Sequence, residues 1–132
     1  MANPEHLKNI RDRVDAAQKW KKQNLNERIA LRDIDLRQAD LSGVDLSKVD
    51  LVGADLIGAN LSRANLTEAE FTGADLSRAD LRQANLKKSN LSQANLRQAD
   101  LSTASLIEAN LTDADLGEAN LSNSDVSGAN LQ

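Results

Sequence analysis

Ala59-Asn60-Leu61-Ser62-Arg63-Ala64-Asn65-Leu66-Thr67-Glu68 is two copies of one five-residue unit, and the unit recurs without a break from Ile29 to Gln132. The third slot, the centre, falls at Leu31, Leu36 and every fifth residue to Leu131; 19 of its 21 occupants are Leu, the others being Phe71 and Val126. Two residues earlier lies a small slot with 15 Ala among 21, the exceptions being Ile29, Ile34, Val44, Val49, Ser89 and Ser124. Between them, the slots from Asp35 to Asn130 hold ten Asp, eight Asn, Glu70 and Ser105. The two slots after the centre are polar and variable.

A period of five excludes the common readings. Five residues advance an α-helix by about 500°, so leucines at that spacing spiral around every side and leave no buried stripe. Asp, Asn and Ser also disfavour helix interiors. A plain strand has a period of two, and five is odd; a leucine-rich repeat needs a longer unit. What remains is a coil in which each unit forms one short side with a turn at its end. Small slot and centre, two residues apart, face inward together, and the Asp/Asn slot between them faces outward. Five of the six glycines (Gly43, Gly53, Gly58, Gly73, Gly128) occupy the second slot after the centre, which places the turn there. Other residues share that slot, so the sequence does not demand a positive φ at every turn.

Units such as Ala59-Asn60-Leu61-Ser62-Arg63 and Ala79-Asp80-Leu81-Arg82-Gln83 carry the signature A-(D/N)-L-x-x, and over about three-quarters of its length the chain resembles the pentapeptide-repeat family. The resemblance implies an all-β solenoid, a right-handed quadrilateral β-helix with four units per coil, residue n stacked on n+20, and about five coils. At ~4.8 Å between neighbouring strands the body should be roughly 25 Å long. Stacking by 20 also predicts that Phe71 points inward between Leu51 and Leu91, and that Lys48, Glu68, Lys88 and Glu108 form one outward column of alternating sign.

Composition agrees with a narrow, repetitive core: the 132 residues include one Trp, one Phe and no Tyr, and Leu and Ala supply nearly all the apolar content. The net charge of −4 divides into +3 over Met1–Ala30 and −7 over Leu31–Gln132. An acidic body argues against nucleic acid as its partner. Cysteine is absent, which removes disulfides and thiolate chemistry. No apolar run approaches the ~18 residues of a membrane span, and Met1 is not followed by a signal-peptide stretch. The expectation is a soluble, cytoplasmic, bacterial protein without a membrane partner.

Residues 1–28 read as a helical cap and linker, and 29–132 as the repeat body. Asn3, Pro4 and Glu5 suit a helix start; Leu7, Ile10, Val14, Ala17 and Trp20 form one apolar stripe; Lys19, Lys21 and Lys22 suit the C-terminal end. A helix from about Pro4 to Lys22 is too polar to stand alone, so the stripe is expected to cover the first coil, where Ile29, Ile34, Val44 and Val49 enlarge the apolar surface. The start Met1-Ala-Asn-Pro-Glu-His-Leu7 resembles the lead-in of bacterial, often cyanobacterial, members of the family.

Function classes follow by elimination. His6 is the lone histidine, at a helix start, and reads as a solvated surface residue; no catalytic, cofactor-binding or metal-binding residue is assigned, and no cofactor is expected. The G-G-x-G-x-D pattern of calcium-binding β-rolls is missing. A regular hydroxyl array for ice fails at Arg82, which interrupts Ser42, Ser62, Ser102 and Ser122. A DNA-mimicking modulator of gyrase or topoisomerase is the sharper alternative, since the resemblance includes the quinolone-resistance group and Asp35, Asp55, Asp75 and Asp115 share a column; Asn95 interrupts it, and Arg37, Arg78 and Arg97 lie beside it. The leading expectation is a non-enzymatic structural or protein-interaction scaffold. Its candidate partner surface is Val52, Ile57 and Ile107, apolar residues in an otherwise polar slot. Leu116, Leu121, Val126 and Leu131, in the last coil, are the candidate end for a weak homodimer. The near-uniform Leu and Ala equally fit a truncated or consensus-built chain.

Overall fold

The computed structural model describes Asp12, Asp15 and residues 28–132. Asp12 and Asp15 are helical and exposed. The expected apolar stripe of the cap, Trp20 and His6 lie outside the described residues.

From residue 28 the chain winds as a coil of 20 residues per turn. Parallel bridges link each Asp/Asn slot to the slot 20 residues on, in four columns. Side 1 runs through Ala30, Asp50, Glu70, Asn90, Asn110 and Asn130, and side 2 through Asp35, Asp55, Asp75, Asn95 and Asp115. Side 3 runs through Asp40, Asn60, Asp80, Asp100 and Asn120, and side 4 through Asp45, Asn65, Asn85, Ser105 and Asp125. Four columns give a four-sided solenoid. Each side contributes an isolated bridge rather than an extended strand, because only three residues separate one turn from the next.

The backbone bonding repeats with the sequence. In one unit, Leu61 N–H donates to Asp80 C=O (2.7 Å), Asn60 N–H to Ala39 C=O (2.8 Å) and Arg63 N–H to Arg82 C=O (2.9 Å). Ala64 N–H closes the corner on Leu61 C=O (3.1 Å). These account for four of the five N–H groups. The fifth, on the residue after the centre, is taken by the side chain two residues before it: Ser62 N–H donates to Asn60 Oδ1 (3.0 Å) and Ser102 N–H to Asp100 Oδ1 (3.0 Å). Every Asp and Asn of the slot makes this bond, from Asp35 with Arg37 to Asn130 with Gln132. The slot is therefore a local cap for the turn, and Asp and Asn interchange in it because only a carbonyl-type oxygen at that reach is required.

One expectation is corrected here. The second residue after the centre has positive φ at all 20 turns: five glycines and 15 others, among them Lys48 (59°), Arg63 (60°) and Thr103 (58°). With the corner bond from the small slot to the centre, this is the arrangement of a type II turn, which requires a left-handed residue at its third position. Non-glycine side chains accept the conformation at roughly 1–2 kcal/mol each, because reversing φ would open the corner bond and, at all corners but those of the last coil, the bond that this residue donates to the next coil. The variety of residues in the slot hid a uniform backbone.

The interior is filled from the small and centre slots. Every such residue from Leu36 to Leu111 is buried, including Phe71 as expected, and the one polar occupant, Ser89, donates its hydroxyl to Leu86 C=O (2.7 Å). Ile29, Leu31 and Ile34 at one end, and Ala114, Leu116, Leu121 and Ala129 at the other, are partly buried against this core. The column Lys48, Glu68, Lys88, Glu108 forms as the register requires, with ion pairs of 3.7 Å (Lys48–Glu68) and 3.9 Å (Lys88–Glu108).

Two substitutions should move stability in opposite directions in urea unfolding. Phe71→Ala leaves a cavity in the centre of the stack and should cost on the order of 3–5 kcal/mol. Thr103→Gly removes a β-branched side chain from a left-handed corner and should raise stability by up to about 1 kcal/mol; an unchanged or lowered midpoint contradicts the strain.

Candidate interaction surface

The interior is closed, so chemistry can only be presented by the two residues after each centre and by the outer face of the Asp/Asn slot. Among the described residues, no three His, Cys, Asp or Glu side chains come together as metal ligands. A shallow groove of about 210 Å³ on side 3 is lined by Ser62, Arg63, Arg82, Gln83, Ser102 and Thr103. Its arginines are already engaged: Arg63 Nε donates to Gln83 Oε1 (2.9 Å), and Arg82 forks onto Asp80, outside the groove, through Nε (2.8 Å) and Nη2 (2.7 Å). That volume is below the several hundred Å³ of small-molecule sites, and the lining is polar rather than apolar.

The register decides which candidate residues meet. Val52 and Ile57 lie in one coil on adjacent sides, following the columns of Asp50 and Asp55. Ile107 follows Ser105 on side 4, more than two coils further along, so it does not join them. All three are half-buried. In the last coil Leu116 and Leu121 are half-buried, whereas Val126 is 39% and Leu131 58% exposed. Those last two are the large apolar side chains most open to solvent among the described residues.

Electrostatics divide the sides. On side 2 the carboxylate column is bridged by arginines: Arg37 contacts Asp35 (2.9 Å) and Asp55 (3.5 Å), and Arg97 contacts Asp115 (3.5 Å). On side 1, Arg32 pairs with Asp50 (2.8 Å). The hydrogen bonds from the Arg37 side chain hold Asp35 well below the usual carboxylate range. The Arg82 side chain lowers Asp80 in the same way, and the Ser127 hydroxyl and backbone N–H lower Asp125. The slot's role as turn cap escaped the reading of the sequence, although its signal was present: from Asp35 to Asn130 an Asx residue precedes the turn residue by two positions everywhere but at Glu70 and Ser105.

The repeat family is established by comparison with known proteins. The family model for pentapeptide repeats matches residues 29–67, 64–102 and 99–132, and the chain belongs to the pentapeptide-repeat family. Members of that family form right-handed quadrilateral β-helices. Solved structures similar to it include the following two. HetL, a pentapeptide repeat protein involved in heterocyst differentiation regulation in the cyanobacterium Nostoc, is 28% identical over 76% of this chain, with a TM-score of 0.66. A pentapeptide repeat protein from the thylakoid lumen of Arabidopsis thaliana is 31% identical over 81% of this chain and 68% of its own, with a TM-score of 0.58. The chain spans 56% of the length of HetL. No curated protein sequence matches it.

The lowered carboxylates carry a pH dependence. A folded pKa below the unfolded value, about 3.9 for Asp, contributes stability that is present above that value and lost as pH falls through the folded one. The urea midpoint should therefore fall on acidification below about pH 4. The triple variant Asp35→Asn, Asp80→Asn, Asp125→Asn keeps the turn-capping oxygens, so it should stay folded at neutral pH and show a flatter acid limb. An unchanged acid limb would show that these groups do not set it.

Proposed function

We propose that the protein is a non-enzymatic structural or protein-interaction scaffold whose partner surface includes Val52 and Ile57. One observation supports this above others: the apolar slots fill the interior, and the Asp/Asn slot is committed to its own turn. Only the outer residues vary freely, and they lie on a regular, pocket-poor wall suited to broad contact with another macromolecule. Val52 and Ile57 break the polarity of that wall side by side, the pattern of a small apolar centre within a polar rim. Ile107 is a separate feature on another side. The gyrase-directed alternative rests on a continuous negative face, and the ion pairs of Arg37 and Arg97 on side 2 weigh against it.

Self-association through the last coil is part of the reading. The exposure of Val126 and Leu131 beside Leu116 and Leu121 supports a weak two-fold homodimer there. No helix among the described residues is long and apolar enough to cross a membrane.

The test compares affinity capture from the native host by the full chain and by the variant Val52→Lys, Ile57→Lys. The scaffold reading expects a partner retained by the wild type and lost from the variant, with thermal unfolding of both alike. Identical capture by both removes this surface from the proposal. Sedimentation across a concentration series tests the dimer: Val126→Lys with Leu131→Lys should shift the wild-type average mass to that of a monomer, and a wild-type chain already monomeric at high concentration ends the dimer proposal.

A further inference from the structure

Away from the two end coils, four of the five carbonyls in each unit accept backbone hydrogen bonds. The fifth, on the left-handed residue at the corner, accepts none from the backbone at any of the 20 turns. Stacking by 20 residues aligns these carbonyls into four ladders, one at each corner, with rungs about 4.8 Å apart. The chain itself shows what such a ladder binds. The exposed side chain of Arg28 lies on the side 4 ladder, and its Nη1 donates to both Lys48 C=O (3.0 Å) and Glu68 C=O (3.0 Å), carbonyls on successive coils. A single guanidinium nitrogen spans two rungs.

The ladder following side 1 is the one most open to a visitor. Its rungs include Gly53 and Gly73, on successive coils, so neither of these two residues carries a side chain of its own over its carbonyl. The space beside Gly73 is empty out to 4 Å, and at Gly53 the Asp33 carboxylate lies where a side chain would begin. Among the described residues neither glycine carbonyl has a hydrogen-bond partner. Val52 immediately precedes this corner, and among the described residues no ion pair engages Asp75 on side 2. Carbonyl oxygens, a carboxylate and an apolar shoulder together complement an arginine: the guanidinium meets acceptors, and its aliphatic stem meets Val52.

We infer that this corner recognises an arginine of the protein partner, the guanidinium bridging the Gly53 and Gly73 carbonyls beside Asp33, as Arg28 bridges Lys48 and Glu68 on side 4. The inference rests on the scaffold reading and supplies the chemistry of its partner: a segment bearing an arginine flanked by apolar residues. Lysine is the poorer fit, because a compact ammonium lacks the planar array of donors that reaches two carbonyls and a carboxylate together.

The experiment uses the full chain and a defined probe, the peptide acetyl-Leu-Arg-Leu-amide, with norleucine in place of arginine as its control. Titration followed by NMR should move the resonances of Gly53, Gly73 and Asp33 with the arginine peptide and leave them in place with the norleucine peptide. Gly73→Asn adds a side chain beside the ladder in a residue type that tolerates the left-handed conformation, and Asp33→Asn removes the charge. Each should weaken peptide binding about ten-fold, the effect of one charge-assisted hydrogen bond. Gly43→Asn, at an equally open left-handed corner on side 3, is the matched control and should bind as wild type. Equal shifts with both peptides, or equal binding by Gly73→Asn and Gly43→Asn, overturn the inference. A host partner lost on Val52→Lys but kept by both Asp33→Asn and Gly73→Asn leaves the scaffold reading standing and removes arginine recognition alone.

Discussion

A chain that turns a corner every five residues has to find a partner for each N–H at every corner, and here the hydrogen bond from Asp or Asn Oδ1 supplies the one that the coils do not. Three N–H groups per unit reach a neighbouring coil and one closes the turn. The remaining one follows the centre, and the Asx oxygen two residues back accepts it throughout the body. Glu70 and Ser105 depart from the rule, one a methylene too long and the other too short, and neither makes that bond with the residue two positions on. The repeat tolerates isolated lapses because the inter-coil bonds around them persist.

This local bond frees the charge pattern from the fold. Asp and Asn cap the turn equally well, so the choice between them sets surface potential without disturbing the backbone. Side 2 is almost wholly Asp, while side 4 holds Asn65, Asn85 and Ser105 between Asp45 and Asp125. The same independence extends to the two residues after the centre, which meet solvent and neighbouring coils only through their outer atoms. A scaffold built this way can vary its wall while its Leu and Ala interior stays constant.

The turns show the opposite balance. Each corner holds a residue in the left-handed region, and most are not glycine, so strain is distributed along the whole solenoid. It persists because the small-slot neighbour closes each corner and, at all corners but Glu118, Asn123 and Gly128 of the last coil, the strained residue's N–H is held by the next coil. The same geometry leaves the corner carbonyl outside the bonding network, which makes the corners the natural points of contact for donors from outside.

The five-residue period, with Leu and Ala two apart and a polar slot between, determined from sequence alone that the chain is a solenoid with an inward Leu/Ala stack, because no helix or flat sheet buries that pattern. The family resemblance supplied four units per coil, and from that register followed the burial of Phe71 and the Lys48–Glu68 pairing. Only the tertiary structure decided the left-handed conformation of every corner, since the bond that closes each turn imposes it on lysine, threonine and glycine alike. The register read from the sequence already set Val52 and Ile57 on adjacent sides of one coil; the bridge columns add that Ile107 lies on side 4, more than two coils further along, because position on a solenoid depends on side and coil rather than on residue type. The open carbonyls at Gly53 and Gly73 were likewise invisible beforehand: sequence names side chains, and the groups left over here belong to the backbone.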